Sequence, residues 1–340
     1  MKKSILFSAL CASLSLFVSC SSDDNGGGGG GGNVPIPIHA TLYSAANGSN
    51  QIGVYNFTPD GVTNGSRKIS SANNSGIFYI KGTDELIVNS VEQKTTNVYG
   101  AVKTSENGAD LNLRMSALET INNPHDVAYS DNHIVVSDGE MGSGFGKFHV
   151  FKKESSGLVL RNTLEVSFDV WGIVFIDKDL YATVAETNAV VVFKNFLNDY
   201  TANAFVVPNK RIQIEGINNI RGIGSDGGVV VLTDIGDENH ASDGGFHFIA
   251  NFVSKFEATP ADGTLAFTGK QSRVWGNLTR LGNPVAIDYD QSRNIVFVAE
   301  NKRDGGAILF FENVEAGGDL RPSLTFTLPK ASSVNFQRAN

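Results

Sequence analysis

The chain has 340 residues, of which 41% are hydrophobic and 18% are charged, with 37 glycines and 9 prolines. This composition is too apolar for an intrinsically disordered chain, and the many glycines suit a fold with many tight turns. The formal net charge is −8. A protein that binds nucleic acid normally presents a basic patch to the phosphates, and the sequence contains none, so we expect no nucleic-acid partner.

The first 19 residues have the pattern of a processing signal. A short basic segment, "MKK", precedes the apolar stretch "SILFSALCASLSLFV", which is too short to cross a bilayer comfortably. The stretch ends at "LFVSC", so that Cys20 is followed by "SSDDN" and by seven glycines, Gly26 to Gly32. The segment resembles a bacterial lipoprotein signal, in which Cys20 is lipidated and becomes the first mature residue. The acidic "SSDD" resembles the surface-export signal of Bacteroidota lipoproteins. The alternative is a secreted protein cleaved near Ser19.

We therefore predict a signal peptide over residues 1–19, a lipidated cysteine with a glycine-rich tether over 20–35, and a folded domain over 36–340. The glycine run would reach roughly 15 Å as a flexible coil. The only cysteines are Cys11 and Cys20, so the processed domain would contain no disulfide and no thiol nucleophile. The resemblance implies an outer-membrane lipoprotein that contacts the membrane through its lipid, exposed at the cell surface or otherwise facing the periplasm.

The rest of the chain contains a repeat. Six segments begin alike, and their shared apolar positions are Ile77, Val127, Ile173, Ile223, Ile287 and Val334. Successive positions are 50, 46, 50, 64 and 47 residues apart. Alternating apolar residues and β-branched or aromatic side chains mark strands, and no amphipathic helical run of ten or more residues follows residue 33. Four strands in every 40 to 50 residues predict the blades of a β-propeller.

The two ends of the chain indicate the number of blades. The C-terminal "SSVNFQ" is a first strand with nothing after it, and the N-terminal "HATLYSAANGSNQIGVYNF" contains second and third strands with no first strand before them. We predict that they complete one blade and close a ring of six, leaving no edge strand at the seam. The 64-residue interval predicts an insertion around "GDENHASDGG" and "TPADGTLAFTGKQSRVWGN".

The turn "NNPHDVAYSDNHIVVSD" (122–138) has a counterpart in "LGNPVAIDYDQSRNIVFVAEN" (281–301). These turns resemble those of NHL-like and TolB-like six-bladed propellers of bacterial secreted proteins. The resemblance covers the whole folded domain and implies its fold rather than its function.

The first strands enter the channel at Ser75, His125, Trp171, Arg221, Val285 and Ser332, and the second strands end at Asn89, Asp138, Glu186, Asp234 and Glu300. Of the first set we predict that His125, Trp171 and Arg221 bind a ligand at the channel mouth, together with all five residues of the second set. Carboxylates are disfavoured in strands, so their recurrence requires a reason. They either accept hydrogen bonds from loop amides or form a partial acidic ring that binds Ca²⁺ or sugar hydroxyls. Arg221 and Trp171 would add a charged donor and a stacking face.

Two features of the sequence could bind a metal ion, namely His125 and the loop 234–245. A zinc site needs about three converging ligands, and the positions equivalent to His125 carry no other histidine, so polar lining or ligand contact competes with zinc. Asp234, Asp237 and Glu238, with Asn239 and Asp243 nearby, predict either a solvated acidic loop or a calcium site without EF-hand spacing.

Three functions remain open from the sequence. The first is a lipid-anchored binding module that presents a propeller face to a glycan, a peptide or an outer-membrane protein, without catalysis. The second is a calcium-dependent hydrolase or lyase working at the channel mouth. The third is a structural subunit of an outer-membrane complex.

Overall fold

The computed structural model describes residues 39–118 and 121–339. The predicted signal peptide, Cys20 and the glycine tether lie outside the described residues. The strands in chain order are β1 (Ala40–Ala46), β2 (Gln51–Thr58), β3 (Gly61–Lys68), β4 (Asn74–Ile80), β5 (Glu85–Ser90), β6 (Thr95–Gly100), β7 (Asn112–Ser116), β8 (Pro124–Ser130), β9 (His133–Gly139), β10 (Gly146–Glu154), β11 (Gly157–Val166), β12 (Val170–Ile176), β13 (Asp179–Val184), β14 (Ala189–Phe193), β15 (Ala204–Phe205), β16 (Lys210–Ile214), β17 (Ile220–Asp226), β18 (Val229–Asp234), β19 (Gly245–Ile249), β20 (Thr264–Leu265), β21 (Ser272–Trp275), β22 (Pro284–Asp290), β23 (Ile295–Glu300), β24 (Ala307–Glu312), β25 (Leu324–Thr327) and β26 (Ala331–Arg338).

The helical elements are short. They are the α-helices α1 (Phe196–Asp199) and α2 (Phe252–Ala258) and the 3-10 turns Lys81–Thr83, Asn277–Thr279, Arg303–Gly305 and Val314–Ala316. No helix in the described ranges is both long and apolar enough to cross a membrane.

The strands form six sheets, which are the blades of a six-bladed β-propeller. Blade 1 is β26-β1-β2-β3, blade 2 is β4-β5-β6-β7, blade 3 is β8-β9-β10-β11 with β15, blade 4 is β12-β13-β14-β16 with β20, blade 5 is β17-β18-β19-β21, and blade 6 is β22-β23-β24-β25. The all-β, six-bladed fold predicted from the repeat is confirmed.

The core lies between the blades. The described residues form six hydrophobic clusters, and each cluster joins side chains of two adjacent blades. Alternation along a strand explains this arrangement, because successive side chains point to opposite faces and so to opposite neighbours. In blade 4, for example, Val191 packs toward blade 3 and Val190 toward blade 5. Every blade is therefore stabilised from both sides.

The ring closes through the two ends of the domain. Strand β26 pairs antiparallel with β1, with Ala331 opposite Ala46 and Arg338 opposite Ala40. Phe336 of β26 also stacks on Phe297 of blade 6, with ring centroids 4.9 Å apart. The predicted pairing of the chain ends is confirmed.

The long interval in blade 5 differs in part from the prediction. Helix α2 and strand β20 are the insertion, and β20 pairs in parallel with β16 of blade 4. Residues Ser272–Trp275, which the sequence placed in the insertion, are instead β21, the fourth strand of the blade. The error arose because a four-residue edge strand is too short to show an alternating pattern.

Candidate functional site

A cavity of about 390 Å³ runs along the propeller axis and is lined mainly by the six inner strands. We call the side at which these strands begin the entry face. The inner strands begin at Asn74, Pro124, Val170, Ile220, Pro284 and Ala331. The second strand of each blade ends at this face, so the loops that join the blades collect there.

Three predicted residues form one stack at the entry face. The rings of His125 and Trp171 are 4.1 Å apart and nearly parallel, and the Arg221 guanidinium lies 4.3 Å from the Trp171 ring. They belong to blades 3, 4 and 5 in that order, so the indole lies between its two partners. Stacking and cation–π contacts of this kind stabilise a fixed arrangement. The stack therefore builds a rigid wall across three blades.

Both outer members of the stack are buried and bonded to protein. His125 is 7% exposed, and its Nε2 lies 2.9 Å from the carbonyl oxygen of Gly139, to which the Nε2–H donates. Burial lowers the pKa of His125 to about 4, so the ring is neutral at pH 7. Arg221 is 3% exposed, donates to Met141 Sδ at 3.2 Å, and lies 3.8 Å from Glu238.

The recurrent carboxylates are three in number, where the sequence predicted four. Asp138 pairs with Pro124, Asp234 with Ile220, and Glu300 with Pro284, each at the first residue of an inner strand. The other two candidates are offset. Asn89 pairs with Ser75, the second residue of its inner strand, and Glu186 lies two residues beyond β13 on an exposed turn with φ of 60°. A β-bulge early in the inner strands of blades 2 to 6 conceals this offset in the sequence.

All three carboxylates are buried and accept hydrogen bonds from the loop that enters their own blade. The donors are Asn122 N and Asn123 N for Asp138, Asn218 N and Asn219 N for Asp234, and Gly282 N and Asn283 N for Glu300. This geometry is the one expected of carboxylates that fix loops, as in Asx-type turns. Their predicted contact with a ligand stays a prediction.

The sequence missed the histidine partner of Asp138. His149 Nε2 lies 2.9 Å from Asp138 Oδ2, so the contact joins the third strand of blade 3 to the end of its second strand. Burial alone would raise the pKa of Asp138, but the hydrogen bonds from His149 and the two loop amides bring it below its ordinary value. The signal was the spacing in strands β9 and β10, which puts Lys147 opposite Asp138 and His149 two residues further along β10, on the same face as Lys147.

The acidic loop 234–245 does not gather the predicted calcium ligands. Asp234 Oδ2 accepts from Arg273 Nη2 at 3.0 Å, Asp237 Oδ1 accepts from Asn239 N, and Glu238 points toward Arg221. Over residues 39–118 and 121–339, no group of three or more His, Cys, Asp or Glu side chains is arranged to hold a metal ion. Through these contacts the loop connects to the first and fourth strands of blade 5, which carry Arg221 and Arg273.

Two further carboxylates, also missed, face the channel. Asp126 Oδ2 accepts from Ile173 N of blade 4, and Asp288 Oδ2 accepts from Phe336 N of the closing strand. Burial raises the pKa of each carboxyl group to about 7. Both residues are partly accessible to solvent through the channel. Each links its inner strand to the next one around the ring.

A second cavity, of about 660 Å³, lies on the entry face at the outer edge of blade 5. We call it the Trp275 pocket, and its lining residues are Asn218, Ser242, Asp243, Arg273, Trp275, Gly276, Asn277, Gly318 and Asp319. Trp275 is 53% exposed, and the Arg273 guanidinium lies 5.1 Å from its ring. An exposed tryptophan in a concave site is unusual and typical of binding surfaces.

The fold and its entry face define a six-bladed β-propeller. No protein-family model and no curated protein matches the chain. The chain is similar in structure to a putative 6-phosphogluconolactonase from Bacteroides uniformis, with a TM-score of 0.60, 11% identity, and coverage of 88% of this chain and 100% of that one. It is also similar to a chain of a nidogen/laminin complex, with a TM-score of 0.57, 10% identity, and coverage of 87% and 98%.

A putative 6-phosphogluconolactonase from Bacteroides fragilis aligns with a TM-score of 0.50 and 12% identity, covering 88% of this chain and 84% of that one. At these identities the likeness concerns the fold alone. The neighbours include proteins named as enzymes and a protein in a complex, so function has to be argued from the site.

Proposed function

We propose that the protein is a lipid-anchored binding module of the cell envelope, which holds a glycan, a peptide or a protein partner at its entry face without transforming it. The observation that carries this proposal is the Trp275 pocket. It is open, it is formed from four chain segments, and it exposes a large aromatic side chain beside polar groups.

The packed residues at the channel mouth also support this function, because they give the entry face a rigid base. The stack of His125, Trp171 and Arg221 is already packed, and loops from blades 3 and 5 reach Arg221 through Met141 and Glu238. Lys302 of blade 6 donates to the Glu238 carbonyl oxygen, which joins a third blade to this wall. Preorganised surfaces lose less entropy on binding, so a fixed wall on the same face as the open pocket favours recognition.

The test is binding of the purified full chain to an array of polysaccharides and synthetic peptides, with mass analysis of each bound probe. We expect retention of at least one probe class in unchanged form. Asn218→Arg, which places a long charged side chain in the Trp275 pocket, should reduce retention at least fivefold. The matched control is Asn112→Arg, an exposed asparagine on the outer strand β7. Chemical conversion of a bound probe would contradict the proposal and favour the hydrolase or lyase alternative.

Anchoring has its own test. Cys20→Ser should move the protein from the membrane fraction to the soluble fraction of the cells that make it, because the residue would no longer carry a lipid. Retention of the variant in the membrane would contradict the lipoprotein assignment and leave the binding site untouched.

A further inference from the structure

We infer that the Trp275 pocket binds a ring of a neutral carbohydrate. The inference rests on the proposed binding function and names the ligand class of the same site. Three features of the pocket support it, namely the exposed indole, the mixture of hydrogen-bond donors and acceptors, and the balance of charge.

The indole offers an apolar platform. The Arg273 guanidinium lies 5.1 Å from the centre of the Trp275 ring, and Trp275 as a whole is 53% exposed. The face of an aromatic ring carries negative charge density and attracts weakly positive hydrogens. The C–H groups on one side of a pyranose ring meet this requirement, so a sugar would lie flat on the indole.

The polar groups around the platform require both donors and acceptors. Among the residues that the structure describes, the buried Arg273 Nε and Asp243 Oδ1 have no hydrogen-bond partner. The side chains of Asn218, Ser242 and Asn277 also line the pocket, and Asp319 accepts from Leu278 N through Oδ1 alone. An amide and a hydroxyl each donate and accept, whereas a carboxylate only accepts. A hydroxyl group can do both, so a ligand rich in hydroxyls satisfies the whole set. A simple anion or cation would satisfy only half of it.

Charge in the pocket disfavours an ionic ligand of either sign. The Arg273 guanidinium is paired with the buried Asp234 at 3.0 Å, and Asp243 and Asp319 would repel an anion. A cation would be repelled by Arg273, which already occupies the indole as its cation–π partner. A neutral sugar ring is repelled neither by the two carboxylates nor by the arginine.

The site is fixed before a ligand arrives. Asp319 Oδ1 accepts from Leu278 N at 2.7 Å, and Trp275 N donates to Gly318 O at 3.1 Å, which joins the blade 6 segment to blade 5. Gly276 has φ of 126°, and a Cβ atom there would lie 2.5 Å from Asp319 Cγ. Only glycine allows the carboxylate to approach this closely. A preorganised platform binds a rigid ring with little loss of entropy.

The experiment titrates the full chain with dextran, mannan and soluble β-glucan as neutral probes, and with polygalacturonate and chitosan as acidic and basic probes. The variants are Trp275→Ala and Asp319→Asn, the latter of which keeps the oxygen that accepts from Leu278. The control is Phe205→Ala, since Phe205 is an exposed aromatic residue on β15 at the edge of blade 3. Affinity electrophoresis and calorimetry supply the dissociation constants, and circular dichroism verifies folding.

We expect binding of at least one neutral polysaccharide, weakened at least tenfold by Trp275→Ala, about threefold by Asp319→Asn, and unchanged by Phe205→Ala. Binding of the charged probes alone, or neutral binding that Trp275→Ala leaves unchanged, overturns the inference. If only synthetic peptides bind, and Asn218→Arg reduces that binding, the carbohydrate inference fails while the proposed function stands. If no polysaccharide and no peptide binds, both fail.

Discussion

The chain contains two tryptophans, and each has an arginine against its ring, but the two environments differ. Trp171 lies between His125 and Arg221, with both partners buried. Trp275 has one arginine beside it and is 53% exposed. The same pair of residue types is thus part of a packed stack at the channel mouth and part of an exposed surface in the Trp275 pocket. The number of partners on the indole, rather than the residue types, distinguishes the two environments.

The largest expected effect is the loss of the closed stack. Trp171→Ala should lower the free energy of unfolding by about 3 kcal/mol, because it removes a packed aromatic side chain and leaves a cavity between two buried partners. Trp171→Phe should recover more than half of this loss by restoring a ring. Urea denaturation measures both. A loss below about 1 kcal/mol for the alanine variant would show that the stack is not a structural element.

The arginine of the open pair should matter for stability more than its tryptophan does. Arg273→Gln leaves the fully buried Asp234 without its cation, so we expect a loss of about 2 kcal/mol, moderated by the loop amides that still donate to the carboxylate. The control is Arg280→Gln, which breaks an exposed ion pair with Asp304 and should cost less than about 0.5 kcal/mol. Equal losses of unfolding free energy in the two variants would show that Arg273 does not stabilise the fold by neutralising Asp234.

Acid should weaken the closed stack. Folded His125 has a pKa near 4, whereas an unfolded histidine binds a proton below about 6.5. Between these values His125 binds more protons in the unfolded state, so its contribution to stability falls as the pH drops from about 6.5 to 4, whereas Asp126 and Asp288, whose pKa values are raised to about 7, contribute in the opposite direction. Over this pH range we therefore expect the change in the free energy of unfolding of His125→Gln to be more favourable than that of the parent protein by about 1–2 kcal/mol. Parallel stability curves for the variant and the parent protein, measured by urea denaturation from pH 4 to 7.5, would contradict the prediction.

The smallest effect on stability should come from the open tryptophan. Trp275→Ala should change the free energy of unfolding by less than about 0.5 kcal/mol, because surface substitutions away from packed features rarely do more. Thermal and urea denaturation measure it. A loss as large as that of Trp171→Ala would mean that Trp275 supports the fold, and its exposure would then need another explanation.

Much of the fold could be predicted from the sequence because its causes are local and periodic. Each anchor from Ile77 to Val334 lies on an inner strand, and the C-terminal strand closes the ring as "SSVNFQ" indicated. The stack was predicted only as a set of entrance residues. Its members are adjacent because blades 3, 4 and 5 are adjacent, so repeat position alone brought His125, Trp171 and Arg221 to one place.

The sites that the sequence did not predict depend on shifts in strand pairing and on segments that are far apart in the sequence. The bulged inner strands hide the shift between Asn89 and Asp138, and a turn hides that of Glu186. The Trp275 pocket joins segments near residues 218, 243, 276 and 319, which share no pattern. The one available signal was "RVWGN", an aromatic residue followed by glycine and asparagine at a strand end. Turn chemistry of that kind marks a loop but gives no indication of a neighbouring blade.

The pairing at the ring closure also gives the molecule a front and a back. Ala46 pairs with Ala331 at the entry face, so β1 begins at Ala40, beside Arg338, on the opposite side. The described part of the chain therefore begins at His39, on the side away from the Trp275 pocket. A protein fused ahead of His39 would thus be joined to the propeller at the face that does not carry this pocket.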